Sequence, residues 1–295
     1  MSDQAIQDTS PTPSTPDLNL DTIRTLGRLL DDIEKVRIMN GNRIGALERA
    51  YGETLPHFVD ISEAVLRSEH LAELELVRAW RRHPLAAWAK TQKGVGEKSI
   101  ARLIAEIGDP LVGSTGHWET SGNGDHESDE AQRRVVPDII GSEAIDPTGH
   151  NSRTPRTRTW IIDTYFDRSV SQLWQYCGVG DPARSKIPKG AVQAELMARG
   201  KPRAKKQLWL ISTGMVKAGI RNPKDGNPSV AVSPWGEIYL ERKKVTADRL
   251  HARDCPQCHA KTGDPWKPGH QNMDALRILA KEFLKALFDA AKALS

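Results

Sequence analysis

The sequence predicts a mainly α protein, with an N-terminal helical hairpin or coiled-coil arm and then a helical domain that contains a helix-hairpin-helix and a long inserted loop. Two apolar patterns predict this fold. From Ile23 to Ile33, apolar residues alternate at spacings of three and four, the period of a helix that packs along one seam. The last segment, 271–295, repeats apolar residues on one helical face. These are Leu276, Leu279, Phe283, Leu287 and Ala291.

Composition divides the chain into five parts. Residues 1–16 are rich in Ser, Thr and Pro, which is typical of a disordered tail. The helical arm covers 17–92, and the helix-hairpin-helix covers 93–110. An insertion rich in Gly, Ser, Asp and His follows at 111–159, and we expect it to be exposed. The C-terminal part, 160–295, is predicted to be helical and to contain a loop with cysteine and histidine.

Two long helices are predicted in the arm. The first begins near Asp17 or Asp21, since either residue is a suitable N-cap. The second covers Phe58 to Arg82. The two helices could pack on each other as an antiparallel hairpin, or they could present the seam to a second copy as a homodimer. The short seam favours the hairpin. The predicted apolar side of the second helix consists of Ile61, Val65, Leu71, Leu74 and Val77.

Bulk composition excludes several classes of protein. Three cysteines in 295 residues do not make a disulfide framework, and Cys177 is expected to be a buried apolar residue. No apolar run reaches the roughly 20 residues of a membrane span, and no signal peptide is recognisable. We therefore expect a cytoplasmic protein without a membrane partner. The net charge is only +4, but the basic residues occur in blocks, which favours a nucleic-acid partner.

A glycine turn between two helices is predicted at the start of the helix-hairpin-helix. Gly94 and Gly96 form the turn, and Lys93 and Lys98 flank the start of the second helix. Backbone amides at a helix N-terminus attract phosphate, and a lysine there adds charge without reading sequence. The pattern indicates contact with a nucleic-acid backbone. The alternative is a simple helix junction, since glycines also serve turns that bind nothing.

A dense basic block lies between Ala183 and Lys206. It contains a single acid, Glu195, and is interrupted by glycines and prolines. This composition suits a loop that follows a phosphate backbone, because each neutralised phosphate releases counterions. The alternative is a solvated surface. A helix is predicted to follow at 207–220. The basic residues are Arg184, Lys186, Lys189, Arg199, Lys201, Arg203, Lys205 and Lys206.

Residues 247–270 form a loop with the spacing of metal ligands. Cys255 and Cys258 make a C-x2-C pair, and histidines lie on both sides of it. Two thiolates and two imidazoles can complete the tetrahedral coordination of a structural zinc ion. The alternative is a pair of reduced cysteines in a loop. The predicted ligands are His251, Cys255, Cys258 and His270, with His259 as the alternate.

The basic block also contains the one candidate nucleophile. Ser185 lies beside Arg184 and Lys186, where a serine could attack a phosphodiester. No general base is recognisable next to it, and no carboxylate spacing indicates a two-metal nuclease. A Mg²⁺ cofactor is therefore expected only if the protein is catalytic.

Together these segments resemble the C-terminal half of the DEDD-type insertion-sequence transposases, the family that includes the bridge-RNA-guided recombinases. "GVGEKSIARLIAEIGDP" (94–110) is similar to the family's helix-hairpin-helix signature, and "SQLWQYCGVGDP" (171–182) to its L-x-x-[YF]-x-G-L-x-P block. "RGKPRAKKQLWLIS" (199–212) looks like its basic helix. The predicted helices from Leu20 to His83 occupy the place of the family's coiled-coil region.

This resemblance implies a mobile-element or phage protein that binds DNA, with structured RNA as a further partner and a nucleoid location when bound. We expect no counterpart of the family's RuvC-like domain. The family's catalytic serine precedes a glycine, whereas Ser185 precedes Lys186. The resemblance therefore implies DNA binding more than strand transfer. The alternatives are an active recombinase subunit that uses Ser185 and a zinc-stabilised interaction protein that binds no nucleic acid.

Overall fold

The protein is mainly helical, as predicted from its sequence. The computed structural model describes residues 18–52, 56–120, 158–180, 200–222, 228–255 and 258–295. Over these residues the chain forms eight helices and two separate two-stranded antiparallel sheets. The N-terminal tail, the centre of the insertion and most of the basic block lie outside the described residues.

Four helices form the first part of the fold. They are α1 (Leu18–Tyr51), α2 (Pro56–Trp80), α3 (Ala86–Thr91) and α4 (Glu97–Ile107). Helix α1 packs against both α2 and α4. Its seam residues Ile23 and Leu30 are fully buried within the chain, and a Cβ at Gly27 would collide with Ala105 of α4. The seam therefore belongs to the core of the chain.

The buried side of α2 differs from the predicted apolar side. Ile61 is 50% exposed and Leu71 is 59% exposed. Helix α2 has apolar residues on several sides, so that periodicity did not identify the face that packs. Small residues let α1 and α4 approach closely, and one large aromatic fills the remaining space. The buried residues of α2 are Ala72, Leu76, Ala79 and Trp80.

An antiparallel ribbon includes both ends of the predicted insertion. Strand β1 (Val112–Thr120) pairs with β2 (Arg158–Asp167), with a register shift between Thr115 and Gly116. The sequence analysis predicted neither strand. The polar composition of β1 gives no strand signal, but β2, "RTWIIDTYFD", carries the β-branched and aromatic residues typical of strands in a segment that was expected to be helical. Residues 121–157, which connect the two strands, lie outside the described residues.

The second part of the fold contains four helices and a short two-stranded sheet. They are α5 (Val170–Tyr176), α6 (Pro202–Gly219), β3 (Ile220–Arg221), β4 (Val230–Ala231), α7 (Pro234–Val245) and α8 (Pro268–Leu294). Helix α6 begins at Pro202, earlier than predicted, because proline is well suited to the first helical position. The end of the basic block, including Lys205 and Lys206, is therefore helical and not a loop.

Helix α8 completes the core. The predicted apolar face of this helix is buried along its whole length, from Leu276 to Ala291. Its Phe283 ring contacts Trp88 and Trp235. Cys177, after α5, is fully buried as expected, and burial raises the pKa of its thiol to about 12. Among the described helices, none has an apolar stretch long enough to cross a bilayer.

Candidate metal centre and basic surface

The Cys/His loop connects the end of α7 to the start of α8. Its two ends run antiparallel and are joined by an isolated bridge between Leu250 and Pro265. The His251 N–H donates to the Asp264 carbonyl at 2.8 Å, and the Gly263 N–H donates back to the His251 carbonyl at 2.8 Å. This short ladder fixes the backbone of His251, whose side chain is buried.

The C-x2-C pair lies in a tight turn at the tip of the loop. The His259 N–H donates to the Cys255 carbonyl at 2.9 Å, and the Cys255 N–H donates to the Ala260 carbonyl at 2.8 Å. His259 takes a φ of 58°, a left-handed conformation that is uncommon outside glycine and that reverses the chain after Cys258. Its side chain is exposed.

Three ligand side chains converge: His251 and Cys258 from the loop, and His270 from the first turn of α8. The ligand atoms of His251, Cys258 and His270 all lie within 4.8 Å of one another. Cys258 Sγ is 3.7 Å from His251 Nε2, and Cys255 Sγ is 3.6 Å from His270 Nε2. With Zn–S and Zn–N bonds of about 2.3 and 2.0–2.1 Å, the S···N edge of a tetrahedral zinc site is about 3.6 Å. The group of His251, Cys258 and His270 could hold a metal ion. Neither the predicted ligand Cys255, although its Sγ is close to His270, nor the alternate His259 belongs to that group.

Further contacts brace the loop around these ligands. Asp254 accepts hydrogen bonds from the Lys261 ammonium at 2.9 Å and the Thr262 N–H at 3.0 Å, and the hydrogen bond from Lys261 lowers the pKa of its carboxyl. The Trp266 ring lies 6.3 Å from the His251 ring, and the Arg249 guanidinium covers that indole at 4.6 Å. The Trp266 ring thereby lies beside both imidazoles, 6.3 Å from His251 and 6.1 Å from His270.

The glycine turn packs against α6. Gly94 has a φ of +87°, and a Cβ there would lie 2.6 Å from the Gly214 carbonyl oxygen. Gly96, the N-cap of α4, has open space around it. Lys93 is exposed and donates to the Val232 carbonyl at 3.2 Å. Gly94 is thus a helix contact, and only the Lys93 and Gly96 side of the turn faces outward.

Several of the predicted phosphate-binding cations face carboxylates. Lys98 pairs with Glu73 at 2.6 Å. Lys201 pairs with the buried Glu106 at 3.0 Å. Arg203 lies 3.9 Å from Glu106 and 3.6 Å from Asp31 of α1. These ion pairs attach the start of α6 to α1 and α4.

The other predicted basic residues have different surroundings. Lys205 is half-buried, and burial lowers the pKa of its ammonium. Lys206 is exposed. The remaining candidates of the basic block, with the candidate nucleophile, lie outside the described residues. These are Arg184, Ser185, Lys186, Lys189 and Arg199.

A buried ion-pair network was missed at the sequence level. The guanidinium of Arg102 on α4 is only 7% exposed and pairs with both Asp31 and Glu34 of α1. Burial alone would lower the pKa of Arg102, but hydrogen bonds to the two carboxylates outweigh burial and raise it. The signal was available in "SIARLIAEI", where Arg102 interrupts an otherwise apolar helix and therefore needs a buried partner.

The sequence did not indicate the outward side of α6 as a candidate binding surface either. Helix α6 contains four basic residues and no acid. Three exposed residues, Lys206, Trp209 and Lys217, follow each other at helical spacings of three and eight. Half-buried Thr213 lies between the last two, and Leu210, 39% exposed, borders them. The α6 face is defined by Lys206, Trp209, Leu210, Thr213 and Lys217.

No protein-family model, curated protein or solved structure matches this chain. The resemblance to transposase C-terminal regions therefore depends on the quoted segments alone and stays a prediction. The geometry of the Cys/His loop and of the α6 face is the basis on which a function can be assigned.

Proposed function

We propose that this chain is a DNA-binding protein that contacts nucleic-acid backbone through the α6 face and the adjoining glycine turn, with a structural zinc ion in the Cys/His loop. The observation that supports DNA binding best is the contact of Gly94 with Gly214. Lys93 reaches Val232, whose N–H donates to Gly219 at the end of α6. Two basic segments that are distant in sequence therefore lie side by side.

The α6 face and the glycine turn present lysine ammonium groups, the cations that phosphate binding requires. Lys206 and Lys217 are separated by about three helical turns and so point to the same side of α6. The Lys93 ammonium has three donors, of which Val232 accepts one. Cations of this kind position a protein on the backbone without reading its sequence. A smaller contribution to phosphate binding is expected from Lys98, Lys201 and Arg203, because their carboxylate partners compete with phosphate.

The test is the salt dependence of duplex DNA binding. Each lost phosphate contact reduces the slope of log K against log salt by about 0.9, so the double variant Lys206→Gln, Lys217→Gln should lose about 1.8 from the slope. The matched control removes two exposed charges from α8, Lys285→Gln and Lys292→Gln, and should leave the slope unchanged. Equal slopes for all three proteins would refute the assignment of the surface.

Wild-type protein that binds neither duplex DNA, single-stranded DNA nor structured RNA at low salt would refute nucleic-acid binding as a whole. The chain would then be a zinc-stabilised interaction protein.

The zinc proposal assigns four ligands: His251, Cys255, Cys258 and His270. The two S···N distances of 3.6 and 3.7 Å match the edge of a tetrahedral zinc site. Two thiolates select zinc over the harder Mg²⁺ and Ca²⁺. With Cys255 as the fourth ligand beside the cluster of His251, Cys258 and His270, no position would be left open for a substrate. The metal would then stabilise the loop and would not catalyse a reaction.

Metal analysis of the purified protein tests this site. We expect one zinc ion per chain, lost in Cys258→Ser and in His270→Ala. The control is His259→Gln, because this exposed histidine belongs to the same loop but not to the cluster. Zinc retained by Cys258→Ser at full occupancy, or lost equally in His259→Gln, would show that the ligand set is wrong.

The resemblance to transposase C-terminal regions implies the same partner, DNA, and a mobile-element or phage origin. It does not extend the proposal to strand transfer. Ser185 lies outside the described residues, so that no geometry favours it as a nucleophile, and Mg²⁺ has no assigned role.

A further inference from the structure

Trp209 is placed unusually for a tryptophan in the middle of a long helix. Its side chain is 48% exposed, although tryptophan is normally buried for most of its surface. Trp174 on α5 shows the ordinary arrangement: it is half-buried and its indole N–H donates to the Lys281 carbonyl at 3.0 Å. An exposed indole on a packed helix leaves a large flat apolar surface in water.

The charged residues of α6 on either side of Trp209 are positive. Lys206 lies one turn before it and Lys217 two turns after it on the same side of α6. A hydrogen bond from Arg102 lowers the pKa of the Glu34 carboxyl on α1, and Lys206 also acts electrostatically on this carboxyl and helps to lower its pKa. The surface therefore combines a flat aromatic ring with cations in front of and behind it.

We propose that the α6 face binds single-stranded DNA, with Trp209 stacked on an exposed base and Lys206 and Lys217 on the flanking phosphates. This inference rests on the proposed DNA binding and names the form of DNA that this site prefers. Base stacking on an aromatic side chain tolerates any sequence and requires an unpaired base. In duplex DNA the faces of the bases are stacked within the helix, so duplex can use the lysines but not Trp209.

Leu210 provides the competing explanation. This residue is 39% exposed beside Trp209, and a protein partner could cover both side chains. The positive charge favours DNA, because α6 offers no acid that could pair with a basic protein surface. The two partners differ in what they need: a protein interface uses apolar area from both residues, whereas base stacking needs the aromatic ring alone.

The experiment measures the affinity of the full chain for a labelled single-stranded oligonucleotide of mixed sequence and for its duplex. The variants are Trp209→Ala, Trp209→Phe and Leu210→Ala. We expect Trp209→Ala to lose about fivefold to a hundredfold in single-strand affinity, the range for one stacked base. Trp209→Phe should retain most of that affinity. Leu210→Ala should stay within about twofold of wild type, and duplex affinity should stay within about twofold for all three.

Each other outcome is decisive. Unchanged single-strand affinity in Trp209→Ala, with duplex still bound, would overturn the stacking platform and leave the proposed backbone binding intact. Equal losses in Trp209→Ala and Leu210→Ala would overturn it in favour of an apolar interface. Wild type that binds neither DNA would overturn both proposals together.

Discussion

Helix α4 and the Cys/His loop are held in the protein by opposite means. Eight of the eleven residues of α4 are buried, and its Arg102 is paired within the core. In the loop between α7 and α8, His251 and Ala260 are the buried residues among those described from 247 to 267. Burial stabilises α4 without a ligand, whereas a loop with so little buried surface needs a cross-link or a metal to hold one conformation.

If the loop binds zinc as proposed, removal of the metal should have the largest effect of these perturbations, and it should be confined to the loop. Structural zinc contributes about 10–16 kcal/mol in zinc-finger peptides at neutral pH. With a chelator, we expect amide exchange at Cys255 and Gly263 to become fast, because their hydrogen bonds to Ala260 and His251 hold only while the loop is folded. Amides of α4 should keep their protection. Hydrogen exchange with mass spectrometry measures both segments in one sample.

Addition of zinc to the chelated protein is the control and should restore protection to the loop. Slow exchange of the loop in the presence of chelator would mean that its hydrogen bonds suffice without metal, and the comparison with α4 would fail.

Arg102→Ala should destabilise helix α4, the region that is compared with the Cys/His loop. The substitution leaves Glu34 without its guanidinium and Asp31 with only the longer pair to Arg203 at 3.6 Å. Removal of one partner from a buried ion pair costs about 3–5 kcal/mol. Urea denaturation measures the free energy of unfolding. The control is Arg67→Ala, whose exposed pair with Glu63 on α2 is worth about 0.5 kcal/mol. Similar losses in both variants would show that burial adds nothing at Arg102, and a change in zinc content would show that the two regions are coupled.

The two regions also differ in how far the sequence predicts them. Three of the four candidate ligands that were chosen around the C-x2-C spacing, His251, Cys258 and His270, lie together in the structure. The prediction succeeded to this extent because metal chemistry restricts both residue type and separation. The closure of the loop depends on the Leu250–Pro265 bridge, which no short pattern predicts. The helical content and the buried face of α8 are predicted by periodicity, since that face is continuous over many turns.

The sequence did not predict which side of a helix is buried, or which partner a charge has, where packing against other helices decides the outcome. The exposed leucines of α2, such as Leu71, are as apolar as its buried ones, and only the positions of α1 and α4 separate them. The same limit applies to Lys98 and Lys201. Their charges suggest phosphate binding, but the acids that they meet come from Glu73 and Glu106, which are distant in sequence.

A substitution in the glycine turn tests how closely this turn packs against α6, and its expected effect is smaller than that of Arg102→Ala. Gly94→Ala should reduce the free energy of unfolding by about 2 kcal/mol, because it combines an unfavourable positive φ with a collision against Gly214. Gly96→Ala is the matched control, since Gly96 has an extended backbone and open space around it. A difference of less than about 0.5 kcal/mol between the variants would mean that the contact with α6 is loose.

Acidification should give the smallest of these effects. It should lower the free energy of unfolding of the helical part of the chain through protonation of Glu34. The hydrogen bond from Arg102 holds the pKa of this carboxyl below its ordinary value of 4.5, so the unfolded chain binds a proton at a higher pH than the folded one. The stabilisation is complete above pH 4.5 and is lost as the pH falls through the folded pKa.

The variant Glu34→Gln removes this titration. The free energy of unfolding of the variant should therefore fall less steeply over that pH range than that of wild type. Glu63→Gln, which removes an exposed carboxylate from α2, should follow wild type. The effect is modest because Asp31 shares the same guanidinium, and parallel curves for all three proteins would assign the acid sensitivity of the helical part of the chain to other carboxylates.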